Sequence, residues 1–138
     1  MCRMTFAQIH GYILGFAIIG SWAVIMFWSL VLRLLRAEET PVFWRVVSVA
    51  QVLLGLQFFV GLALLTMWTL GGAGLPGDGS AFDVTFHFLY GAGFPLLVIA
   101  VAHWWARAGR YNPYTIFAVV GLVNFGLTFR AFDVGIGG

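Results

Sequence analysis

Apolar residues along this chain gather into four long runs, near 6–32, 42–70, 82–106 and 114–132, parted by short polar or glycine-rich breaks. Each run is near or above the ~20 residues an α-helix needs to cross a hydrocarbon core. The runs predict helices over 6–35, 41–70, 81–108 and 113–133, all within one domain of 1–138. The breaks carry start and stop chemistry. Thr5 with Gln8, and Ser80 with Asp83, have the spacing of a capping box. Thr40-Pro41 and Asn112-Pro113 put a capping side chain before a proline, which suits the first helical position because it has no N–H to leave unpaired. Gly109 is the expected stop of the third helix. Short connections between four helices favour up-down-up-down order.

Composition turns a helical bundle into a membrane protein. The 138 residues are 62% hydrophobic and only 9% charged, too few charges to cover a water-soluble domain of this size. The fold expected is therefore an all-α integral membrane protein, a four-transmembrane-helix bundle. The seven basic residues are all arginine and sit at the ends of apolar runs, not in a patch. They read as topology signals, and nucleic acid is excluded as a partner. Arg33, Arg36, Arg45, Arg107 and Arg110 flank the two short connections, against Arg3 and Arg130 on the other side. That bias predicts an inner-membrane protein with the short loops in the cytoplasm and both termini outside. Trp28, Trp44, Trp104 and Trp105 then mark the inner interface and Trp68 the outer one. The N-terminal run lacks a signal-peptide layout and is expected to remain as a helix. Cys2, the single cysteine, excludes an internal disulfide or a cysteine-held cluster.

A weak internal repeat adds a constraint on how the helices face each other. Eighteen residues separate His10 from Trp28 and His87 from Trp105, and 23 separate His10 from Arg33 and His87 from Arg110. The prolines fall out of this register. If it holds, the chain consists of two pseudo-equivalent helical hairpins, and the first and third helices face each other. Depth points the same way: His10 and His87 each lie eight residues from the middle of their helix on the outer side, about 12 Å at the α-helical rise.

Ionisable side chains within a membrane are costly, so each is a candidate site. Two imidazoles at one level on facing helices are what a six-coordinate haem b requires. Gly91, one turn after His87, leaves room for a flat macrocycle, while Gly11 and Gly15 lie beside His10. Pro95 deprives the Gly91 carbonyl of its helical partner and predicts a bend. Arg130 is the candidate partner for a haem carboxylate, with Asp133 able to pair with it and a snorkelling helix-end arginine as the plainer role. The other metal readings are copper held by His10 and His87 with Met67 or Met4, and chlorophyll-type magnesium on one histidine. Without a metal, the two histidines would hydrogen-bond neighbouring helices.

His103 reads differently. It follows His87 by 16 residues, which turns it about 160° away in a straight α-helix. It is expected in the Trp104-Trp105 belt, with a second His/Met haem site using Met26 as the alternative. Gln57 and Asn124 lie near mid-membrane; they are expected to hydrogen-bond each other, or to hold a quinone headgroup. No carboxylate pair, nucleophile triad, phosphate loop or mid-membrane acid is present to suggest hydrolysis or proton pumping. These features predict a small cytochrome b-like electron carrier, a subunit of a quinone-linked respiratory or photosynthetic complex or a homo-oligomer. The rival is a cofactor-free accessory or assembly subunit of such a complex.

Overall fold

The computed structural model describes residues 6–71 and 81–137, and what it describes is helical throughout apart from the turns between helices. Four rods result. Rod α1 joins a short helical start, Phe6–Gln8, to a π-helical turn, Ile9–Leu14, and an α-helix, Gly15–Leu34. Rod α2 is an unbroken α-helix, Pro41–Leu70. Rod α3 runs Ala81–Phe88, then a π-helical turn, Leu89–Gly93, then Phe94–Arg107. Rod α4 is Pro113–Gly137. All four are long and apolar enough to cross a membrane. Apolar side chains such as Phe27, Leu34, Phe59 and Leu97 remain exposed on their outer faces, as a lipid-facing surface requires. The chain is thus an all-α, multi-pass bundle suited to a bilayer.

The helix boundaries show their chemistry. Pro41 and Pro113 open their helices. Asn112 Oδ1 accepts from the Tyr114 backbone N–H at 2.9 Å, a side-chain cap. Thr40 makes no side-chain cap; its backbone N–H donates instead to the Tyr114 hydroxyl at 3.1 Å, and that hydroxyl donates to the Glu38 carbonyl at 2.7 Å. Rod α1 ends on Arg36 with φ 52°, closed by Ala37 N–H to the Leu32 carbonyl. Rod α3 ends at Gly109 with φ 66°, where the absent Cβ removes the cost of the left-handed turn. Thr5, Ser80 and most of the glycine-rich connection lie outside the described residues, as do Cys2, Arg3 and Met4.

Rod α1 packs most extensively on α4, and α3 also packs on α4. Gly121 makes the first contact possible: a Cβ there would stand 2.7 Å from the backbone nitrogen of Met26. The core is built around this seam from Ile18, Trp22, Ile25, Phe43, Val47, Leu54, Phe117 and Val120. At the end of the bundle holding Arg33 and Pro41, Phe43 stacks edge-on with Trp28, Trp44, Tyr114 and Phe117. That end is filled.

Candidate functional site

The opposite end is hollow. A cavity of about 530 Å³ opens where the starts of α1 and α3 meet the ends of α2 and α4. That volume lies in the ~300–1,000 Å³ range of ligand and cofactor pockets. His10, Gln57, His87, Gly91, Ala131 and Gly135 are among its walls, with Ile18, Leu64 and Thr128 on the side toward the core. Small residues at these positions leave the space that large ones fill at the other end.

Two histidines meet across it. The rings of His10 and His87 have centroids 6.0 Å apart and planes at 59°. The rods α1 and α3 make no backbone contact comparable with those to α4, so the rings reach toward each other across a gap. Each ring is backed by a glycine from another rod. A Cβ at Gly61 would lie 3.1 Å from His10 Cε1, and one at Gly135 would lie 2.8 Å from His87 Cε1. In the sequence Gly61 reads as a helix-packing glycine and nothing ties either glycine to a ring; their signal, a small residue at histidine depth, does not stand out among 18 glycines.

The hydrogen bonds of the two rings differ. His87 Nδ1 lies 2.9 Å from the Ala131 carbonyl, which can only accept, so Nδ1 carries the proton and Nε2 keeps its lone pair. Gln57 donates its amide N–H to the His10 backbone carbonyl at 3.2 Å and approaches His10 Nε2 at 3.5 Å. His10 Nδ1 and Gln57 Oε1 are buried with no partner. Buried polar atoms without a partner are unusual in a native fold, and both of these belong to residues that line the cavity.

A π-helical turn lies at each histidine. His10 is within the first, where Gly15 N–H reaches back five residues to the His10 carbonyl; the second begins two residues after His87. Such turns absorb one extra residue and recur at functional sites. The second corrects the phase expected for His103. With one residue absorbed, His87 and His103 differ by about 60°, not 160°. His103 accordingly turns inward, its Nε2 2.7 Å from Gln51 Nε2 and its ring edge-on to Phe117. It is a bundle residue bonded to α2, not simply part of the tryptophan belt. The π-turn also replaces the plain proline bend: Pro95 is buried at the start of the α-helical segment immediately after it.

The expected bond between Gln57 and Asn124 does not form. Gln57 is committed to His10, while Asn124 is fully buried with both amide atoms unpartnered. Matched depth gave no azimuth, and the two side chains face different surroundings. Of the pair, Gln57 lines the cavity and Asn124 does not. Arg130 pairs with Asp133 on the exposed face of α4 and is not a wall residue; Gly91 is, with Ala131 3.4 Å from where its Cβ would be. Met67 is 66% exposed and also stands outside the cavity walls.

Among the described residues no three histidine, cysteine or acidic side chains converge as a metal cage. Two imidazoles are too few for a bare ion that wants four protein ligands. They are the right number for a metal that brings a macrocycle with it. Comparison with known proteins finds no matching family model, no similar curated protein and no similar solved structure. The functional reading therefore rests on this site.

Proposed function

We propose that this protein is a small membrane cytochrome b-like electron carrier that binds one haem b between His10 and His87. The observation that carries the reading is the pair of facing rings. Imidazole nitrogens at about 2 Å on both sides of a metal, plus the ring radius at each end, require centroids roughly 6 Å apart. The observed separation is 6.0 Å. The cavity volume, the glycines behind both rings and the lone pair left on His87 Nε2 support the same occupant. When bound, haem supplies one-electron chemistry; the chain supplies ligand geometry and a low dielectric.

The arginine bias, read with the positive-inside rule, puts the cavity toward the outer face and both termini outside the cytoplasm, with the helices running up-down-up-down. A quinol arriving at that face fits as electron donor. The electron would pass on within a larger membrane complex or a homo-oligomer.

The test is direct. Protein purified from cells supplied with haem should show a Soret band that shifts on dithionite reduction. A colourless preparation would overturn the reading in favour of a cofactor-free accessory subunit.

A further inference from the structure

We infer that the two axial positions are unequal: His87 is the anchored ligand, and His10 is an exchangeable one that yields to a small neutral ligand such as carbon monoxide. This rests on the haem reading and extends it from electron transfer to ligand binding.

The asymmetry is in the surroundings of the rings. His87 is fixed twice, by the 2.9 Å bond from Nδ1 to the Ala131 carbonyl and by the close approach of Gly135. A second hydrogen bond of this kind sets the tautomer, orients the ring and makes the metal-facing nitrogen more basic. Ala131 is itself buried in a regular helix, so its carbonyl is a rigid partner. His10 also has a glycine behind it, Gly61, but its ring has no such bond to a rigid acceptor. Its Nδ1 is buried without a partner, and its one polar side-chain neighbour, the Gln57 amide, stands at 3.5 Å beside Nε2. Its backbone lies within a π-helical turn, whereas His87 stands in the α-helical segment before the second one. Little therefore holds the His10 ring in place once its metal bond breaks.

The cavity supplies the rest. Its mostly apolar walls admit a small uncharged molecule, and the Gln57 amide, 3.5 Å from His10 Nε2, is a donor beside the position that ring would vacate. In the exchange the bond from iron to His10 Nε2 breaks and one from iron to carbon monoxide forms. The iron stays ferrous throughout, and no proton or electron is transferred.

The experiment uses the full-length protein in detergent, reduced with dithionite and exposed to carbon monoxide. Wild type should bind the gas with a Soret shift, slowly, because His10 must leave first. His10→Ala should keep its haem, lose the six-coordinate low-spin spectrum and bind carbon monoxide about tenfold faster or more. His87→Gly should lose haem about tenfold or more. Added imidazole should restore it, which separates loss of a ligand from loss of the fold. Gln57→Leu should raise the C–O stretching frequency of the bound gas by removing the donor. Equal haem loss in His10→Ala and His87→Gly, or loss confined to His10→Ala, would overturn the inference, as would a coloured His10→Ala protein that ignores carbon monoxide. Colourless wild type would instead remove the haem reading beneath it.

Discussion

The two ends of the bundle are made from the same four rods and differ in what fills the space between them. At the filled end, large side chains interlock: Phe43, Tyr114 and Phe117 are fully or nearly fully buried and stack edge-on with one another and with two tryptophans. At the hollow end glycines, alanines and two histidines stand among the larger wall residues and leave a cavity open between the rods. Lipid tails are as apolar as the core, so burial of apolar area drives association weakly here, and close packing must hold the helices together. The filled end supplies that packing. It lets the other end hold a space that would collapse in a bundle without such a clamp.

Substitutions can break this division of labour. Phe43→Ala should cost most, about 3–5 kcal/mol, because it empties the centre of the aromatic cluster. Unfolding in mixed micelles would measure it. Gly121→Ala should follow at about 2–3 kcal/mol, since its Cβ would meet the Met26 backbone, which cannot yield as a side chain does. Gln51→Leu should cost about 1–2 kcal/mol by stranding His103, and leave the Soret band unchanged. Gly135→Ala sharpens the contrast from the other side. It should cost about 1–2 kcal/mol, since displacing the His87 ring breaks its bond to the Ala131 carbonyl, and cut haem retention about tenfold or more, read as Soret absorbance per protein. A Gly135→Ala protein that keeps its full haem content would show that the glycine is not there for the ring.

Four apolar helices were legible because the membrane fixes their length, and prolines with caps mark where two of them begin. The meeting of His10 and His87 was legible in depth, since each lies eight residues from the middle of its helix and each span contains one π-turn, so the two rises match. Azimuth was not. It depends on packing rotation and on π-turns, which carry no strong local signature, and this is why Gln57 faced His10 instead of Asn124 and His103 turned toward Gln51. The Ala131 carbonyl behind His87 was out of reach for another reason: a backbone acceptor has no residue type.

The position of the histidine pair also has an electrical meaning. At the depth expected from the sequence, about 12 Å from the middle of a ~30 Å hydrocarbon core, the pair would lie within ~3 Å of one boundary, and only about a tenth of the transmembrane voltage would fall between it and that face. Carrying one elementary charge across the whole membrane takes about 2.3 kcal/mol per 100 mV, so charging this site from the near face takes only ~0.2 kcal/mol. The aromatic cluster of the filled end contains the phenol of Tyr114 and meets the His103 ring at Phe117. Electrons exchanged at the histidine pair would enter and leave by the same face and do almost no work against the membrane potential.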